Sequence, residues 1–251
     1  MNPGHVRFTA ELVRQDDPEI GQELISIRFE DGRVEQLRLH DYERLYSLPG
    51  VYEQIVTERL QCSSPWVIAG LLGSAADSLG WERGRLRVLD VAAGNGVSGE
   101  ALAQEGLGVG GRYGTDIVEG ARVAALRDRP GIYDQYVTLD LLRLTGADRA
   151  LVGGWGCALL CCVAPVGDYR SALPPAALAA AASLLSDDAL IAYMHDPAQG
   201  EDDPVTADLL GTELADARLL ERRRYVHRRT VNGRPFEMDG VVWRVKRGQA
   251  Q

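Results

Sequence analysis

The chain reads as an α/β protein: a mostly parallel sheet with helices on both faces, closed by an antiparallel pair. Three observations carry this reading. From Arg85 onward, apolar runs of strand length alternate with helical stretches, and strands separated by helices imply parallel neighbours covered on both faces. Near the carboxy end the pattern changes to two strand-like runs, 222–230 and 240–247, around an Asn232-Gly233 turn. Near the amino end, residues 24–39 alternate around Asp31-Gly32 and are followed by helical spacing. That predicts a β-hairpin with a helical lid.

Taken in order, Ile25, Ile27 and Phe29 precede the Asp-Gly turn, and Val34, Leu37 and Leu39 follow it. Tyr42, Leu45 and Tyr46 recur at helical spacing, and Pro49 is placed to start a second helix carrying Val51, Tyr52, Ile55, Val56 and Leu60. Ser63-Ser64-Pro65 caps a third, with Val67, Ile68, Leu71 and Leu72 on its apolar face. The strands expected next are 86–91, 112–117, 136–141, 157–163 and 189–194, with helices near 98–105, 119–127 and 175–185 between them. Residues 1–84 are expected to form the hairpin and helical cap of one globule, and 85–251 its core.

Composition excludes several functions. The chain has 251 residues, 45% of them apolar, and a formal charge of −9, values of an ordinary globular protein rather than a disordered one. The longest apolar run, about 157–166, is far short of the roughly 18 residues that cross a bilayer. The first residues carry no basic segment followed by an apolar one, so a cytoplasmic protein without membrane association is expected. Lys246 is the only lysine, and Arg247 follows it, so a P-loop is excluded. Cys62, Cys157, Cys161 and Cys162 form no Cys-x-x-Cys and suit buried thiols in a reducing compartment. The four histidines are scattered, and no metal site is expected.

The informative segment is Asp90-Val91-Ala92-Ala93-Gly94-Asn95-Gly96-Val97-Ser98-Gly99: a buried strand, a glycine turn, a helix start. Ligands of parallel α/β sheets sit beyond the carboxyl ends of the strands. Gly94 and Gly96 permit a tight turn and close approach, and the next helix directs free N–H groups outward. Gly94-x-Gly96-x-x-Gly99 formally fits a dinucleotide site. Asp116, closing the second core strand, can accept both hydroxyls of a ribose, which suits any adenosine ligand.

Asp-x-Ala-x-Gly-x-Gly also resembles the first motif of class I S-adenosylmethionine-dependent methyltransferases, with Ala92 at the usual first glycine, a change small enough to keep the turn. The resemblance covers roughly residues 85–247. It implies a Rossmann-like seven-stranded, mostly parallel sheet and places Asp90, Ala92, Gly94, Asn95 and Gly96 beside S-adenosylmethionine, with S-adenosylhomocysteine as product. It further implies that Asp140 accepts from the adenine amino group, that Ile117 and Leu141 sandwich the ring, and that the strand bearing Cys161 and Cys162 faces the methyl donor. The run from Tyr42 through Leu48-Pro49-Gly50-Val51-Tyr52 is similar to that of uncharacterised bacterial methyltransferases. Blander roles stay open: Asp140 as a helix cap, Cys161 and Cys162 as packing, Tyr42 and Tyr46 as core.

Methyl transfer needs positioning more than acid–base chemistry. If the acceptor must lose a proton, His195, at the end of the fifth core strand, is the first candidate base and Tyr46 the second. Two alternatives are an NAD-dependent oxidoreductase and a cofactor-binding protein without turnover. The first is weakened because Lys246 lacks a tyrosine four residues earlier; a serine hydrolase is disfavoured by the absence of Gly-x-Ser-x-Gly. The charge of −9 disfavours a nucleic acid, though residues from Arg218 on carry ten basic and three acidic groups. Arg222, Arg223, Arg224, Arg228 and Arg229 read as a solvated strand edge. The expected acceptor is an O or N atom of a small molecule. Assembly is left open, a homodimer included.

Overall fold

A computed structural model of the chain describes residues 8–16, 18–167, 172–199 and 214–247. Strands β1 (Phe8–Leu12), β2 (Leu24–Phe29) and β3 (Val34–Arg38) form an antiparallel sheet in that order. The expected hairpin is β2–β3. The additional β1, which pairs Phe8 with Phe29, is too short and mixed in character to announce itself as a strand. Helix α1 (Tyr42–Ser47) follows. The second helix begins at Val51, not Pro49, and passes into a π-helical turn, Glu53–Arg59. Helix α2 (Ser64–Ser78) has its proline in the first turn, where the missing N–H costs nothing.

The core runs β4 (Arg87–Val91), α3 (Val97–Gln104), β5 (Gly111–Asp116), α4 (Glu119–Asp128), β6 (Gln135–Thr138), α5 (Gly146–Gly154), β7 (Leu159–Val166), α6 (Pro175–Ala182), β8 (Asp188–His195), β9 (Leu214–Arg229) and β10 (Pro235–Arg247). The seven strands lie in the order β6-β5-β4-β7-β8-β10-β9. β4 to β8 are parallel to one another, and β10 runs antiparallel between β8 and β9. The expected parallel sheet with a reversed final hairpin is therefore present. The chain winds outward from β4 to β6 and then returns to β7, so the switch point where ligands of such sheets bind lies between β4 and β7.

Three elements differ from expectation. β6 stops at Thr138 because Asp140 bends the chain into a short 3-10 turn, Leu141–Arg143. Helix α5 was not foreseen; Thr145 and Asp148 form a reciprocal capping box at its start, satisfying two orphan N–H groups. β9 begins at Leu214, well before residue 222.

Strand alternation divides the core. Leu89, Val91, Leu160, Cys162, Ile191, Tyr193, Val241 and Trp243 face α5 and α6. Val88, Leu159, Cys161, Leu190, Ala192, Met194 and Val242 face α2 and α3. By packing, α2 belongs to this large sheet rather than to the cap. The three-stranded sheet, α1 and the π-helical turn have a small core of their own around Ile25, Ile27, Leu45, Val51, Ile55 and Leu60. Several contacts join that cap to the rest, among them these two. Tyr46 packs on Ala121 and Ala124 of α4. Glu23 forms a buried, two-pronged ion pair with Arg228 of β9.

Candidate functional site

The strand tips of the large sheet and the inner side of the cap enclose a cavity of about 460 Å³, within the roughly 300–1,000 Å³ of small-ligand sites. Its floor is the turn after β4: Ala92, Ala93, Gly94 and Asn95, with Asp116 and Ile117 from the tip of β5. Val163, Ala164 and Pro165 of β7 and Asp196 after β8 continue the floor, while Tyr42, Tyr46 and Tyr52 roof it from the cap. Tyr46 stacks on Tyr42 at 5.8 Å between centroids and lies 5.7 Å from Tyr52.

The turn is held in a demanding conformation. Ala92 has φ +54° and Gly94 φ +56°, in the left-handed region that costs an L-residue with a Cβ roughly 1–2 kcal/mol. Ala92 is thus a glycine position filled by the smallest side chain that can tolerate it. Gly94 is constrained by space as well: a Cβ there would lie 2.5 Å from the Tyr46 hydroxyl oxygen. Tyr136 donates its hydroxyl hydrogen to the Gly94 carbonyl at 2.8 Å. Asn95 Nδ2 donates to Glu53 of the cap at 2.7 Å, and Arg129 bridges Glu53 and Glu100 at 2.8 and 2.9 Å.

Two acids flank the turn, in different environments. Asp116, half-buried in the cavity floor, accepts from Gly94 N at 3.0 Å and Val118 N at 2.9 Å, one bond to each oxygen. Each oxygen keeps a further lone pair for a ligand. Burial raises its pKa against those backbone bonds. Asp90 is fully buried beneath the turn. Ser98 Oγ and Tyr133 OH both donate to its Oδ2 at 2.6 Å, and its Oδ1 has no partner. Burial pushes its pKa up to about 7, with a smaller contribution in the same direction from Asp116.

The sequence-predicted residues are therefore distributed unevenly. Ala92, Gly94, Asn95, Asp116, Ile117 and Tyr46 meet at one end of the cavity. Gly96 packs away from it, against Arg129, Ile132 and Tyr133. Asp140 lies outside the wall and caps its own turn by accepting from Leu142 N at 3.0 Å; Leu141 is buried behind it. Cys161 and Cys162 are wholly buried in the sheet, one on each face, and burial raises both thiol pKa values. The wall of β7 is made by the three residues after them. His195 is fully buried in β8, and its neighbour Asp196 reaches the cavity instead.

Sequence reasoning missed the opposite end, built from His40 of the cap and His227, Arg228 and Phe236 of the β9–β10 hairpin. His40 follows a strand, and His227 and Arg228 fall within a basic run that reads as solvated edge. That reading is corrected for Arg228, which is buried. The single sequence signal was buried-looking Glu23 in an otherwise apolar alternation, an acid in want of a cation.

No family model and no curated protein sequence matches the chain. Solved structures do. A SAM-dependent methyltransferase from Anabaena variabilis superposes with a TM-score of 0.50 at 13% identity, over 84% of this chain and 96% of that one. YcgJ from Bacillus subtilis gives 0.47 at 15% identity, over 72% and 99%. TrmN from Thermus thermophilus gives 0.45 at 18% identity, over 73% and 49%. The Anabaena likeness and the strand order together give this chain the fold of class I S-adenosylmethionine-dependent methyltransferases. Among the described residues no helix is long and apolar enough to cross a membrane.

Proposed function

We propose that this protein transfers a methyl group from S-adenosylmethionine to an O or N atom of a small molecule. The observation that carries the reading is the placement of Asp116 beside the Gly94 turn, with spare lone pairs on both oxygens, in a cavity over the switch point of the sheet. A ribose diol offers two donors to such a carboxylate, and its hydrogen bonds would offset the desolvation that raises the Asp116 pKa. The Ala92–Gly94 backbone, free of bulk, would carry the remainder of the cofactor. Asp90, buried beneath it, would brace the turn through Ser98 and Tyr133, and Ile117 would offer an apolar face for the base.

When bound, the cofactor supplies an electrophilic methyl group on a sulfonium. The chain's own part is to hold the acceptor atom in line with it, to exclude water by the tyrosine roof, and to fix the turn through Glu53, Asn95 and Arg129. Positioning of this kind can lower a barrier by roughly 7–11 kcal/mol. Tyr46 is held with its hydroxyl over Gly94, and burial keeps its pKa well above the ordinary tyrosine value; its role is therefore contact and shape. His195, being outside the wall, would act only through Asp196.

Calorimetry with S-adenosylmethionine, S-adenosylhomocysteine and NAD tests the reading. The two sulfur compounds are expected to bind, and Asp116→Ala to weaken them by about 2–3 kcal/mol, roughly 30- to 150-fold, for loss of charge-assisted hydrogen bonds. Tight NAD binding without response to the sulfonium would overturn it.

A further inference from the structure

The cavity is electrically asymmetric. Its glycine-turn end carries Asp116. Its far end carries Arg228, buried to 4% side-chain exposure, against Glu23 at 1%. Arg228 lines the cavity and Glu23 does not, so the positive end of this pair faces the space. Arg228 Nη1 also donates to the Arg229 carbonyl at 2.9 Å, and Glu23 accepts from Val231 N at 3.0 Å; the pair is fixed in that orientation. Its field is felt on both histidines of the far end. His227 is lowered to about 3, by burial and then by Arg228, and His40 is lowered by the same two causes, with a smaller opposing effect of Glu23. Both imidazoles are therefore neutral.

A hydrogen-bond chain behind His227 gives its Nδ1 a hydroxyl partner. Tyr225 OH and Ser64 Oγ are 2.8 Å apart, and Ser64 Oγ and His227 Nδ1 2.6 Å. With Cys62 Sγ a further 3.9 Å from Nδ1, both hydroxyl hydrogens find an acceptor when Tyr225 donates to Ser64 and Ser64 to Nδ1. That leaves Nε2–H as a donor on a ring that lines the cavity, edge-on to Phe236 at 5.7 Å. The far end thus offers a neutral N–H donor, a buried cation and flat aromatic walls from Phe236 and Tyr42. The other acid of the wall, Asp196, is near enough to Arg224 to raise the pKa of that arginine, and it accepts from Ala198 N at 2.9 Å.

We propose that this end is the acceptor's anchoring subsite and takes the carboxylate of a small aromatic acid, with His227 Nε2–H and the Arg228 charge on the carboxylate and the ring between Tyr42 and Phe236. A cationic sulfonium at the Asp116 end and an anion at the Arg228 end would each meet opposite charge. The assignment to a methyl acceptor rests on the function proposed above; the preference for an aromatic carboxylate does not.

The test titrates benzoate and its neutral isostere benzamide into the protein, with and without saturating S-adenosylhomocysteine. Benzoate is expected to bind at least about tenfold more tightly than benzamide. His227→Phe, which keeps the ring and removes the donor, should weaken benzoate binding at least about tenfold without changing S-adenosylhomocysteine affinity, and His227→Gln, which restores an N–H, should recover part of it. Thermal melts of each variant report folding. Equal affinity for benzoate and benzamide, no binding of either, or a benzoate affinity left unchanged by His227→Phe would overturn the proposal. Failure of S-adenosylhomocysteine to bind while benzoate is still preferred would instead overturn the methyltransferase reading and leave the carboxylate subsite standing.

Discussion

Replacing Asp90 by Asn should remove a pH-dependent destabilisation of the native state. The carboxyl is fully buried, and Oδ1 has no partner. Burial takes its pKa from 3.8 to about 7, although Ser98 and Tyr133 favour the ionised form. An acid with a higher pKa folded than unfolded holds its proton more tightly in the native state. Its contribution to stability is whole below the unfolded pKa and is lost as pH rises through about 7. At about 1.4 kcal/mol per unit, a rise of about three units amounts to about 4 kcal/mol, a large part of the roughly 5–15 kcal/mol that holds most domains together. Asparagine cannot ionise, and its amide oxygen can still accept from both hydroxyls. Urea unfolding of both proteins from about pH 4 to about pH 8 gives the difference curve. The lowered pKa values of His40 and His227 produce the opposite trend, stability rising with pH, but they are common to both proteins and cancel. The advantage of wild type over variant should fall by several kcal/mol across that range. A difference that stays flat within about 1 kcal/mol would refute the assignment of a strained, ionisable Asp90 beneath the turn.

Gly99→Ala would place a Cβ 2.7 Å from the ring carbon and hydroxyl oxygen of Tyr133; because that hydroxyl is committed to Asp90, the ring cannot simply swing away, and a loss of about 1–3 kcal/mol is expected, read as a lower thermal midpoint. An unchanged midpoint would mean that the Tyr133 loop yields freely. Arg228→Ala should cost about 3–5 kcal/mol by leaving Glu23 buried and unpaired, whereas the double replacement Glu23→Leu with Arg228→Met should cost much less. Equal losses from the single and double variants in urea unfolding would argue that the pair acts by packing alone.

Much of this was legible in the sequence, for identifiable reasons. Strands buried on both faces are largely apolar runs, so β4, β7 and β8 stand out, and Asn232-Gly233 marks the reversal into β10. The glycine turn declares the ligand end because left-handed backbone leaves a compositional trace. Other features leave no such trace. Helix α5 is exposed along most of its length, buries only Val152, and is rich in glycine, and its capping box uses Asp148 where the usual signature is Glu or Gln. Asp140 lies beyond the end of β6, in the turn rather than on the strand, and the cavity wall starts one residue after Cys162; a one-residue shift reverses which way a strand side chain points. The far end of the cavity is assembled from residues as distant as His40 and His227, and no local pattern encodes their meeting.

The ion pairs that tie cap to core at the two ends of the cavity are unequal. At the far end, Glu23 and Arg228 are almost wholly out of solvent, and breaking their bond strands a charge. At the turn, Arg129 is 14% exposed and Glu53 27%, so water can take over part of either partner's hydrogen bonding when they separate. Tyr46 and its stacked neighbours fill the span between with contacts that are apolar and non-directional. Separation of cap and core is therefore easiest beside the glycine turn, where Ile117 is already 66% exposed at the cavity edge. The same asymmetry that divides the charges divides the mechanics. The end suited to an exchangeable cofactor lies under the tie that water can replace, and the end proposed to anchor the acceptor lies under the tie that it cannot.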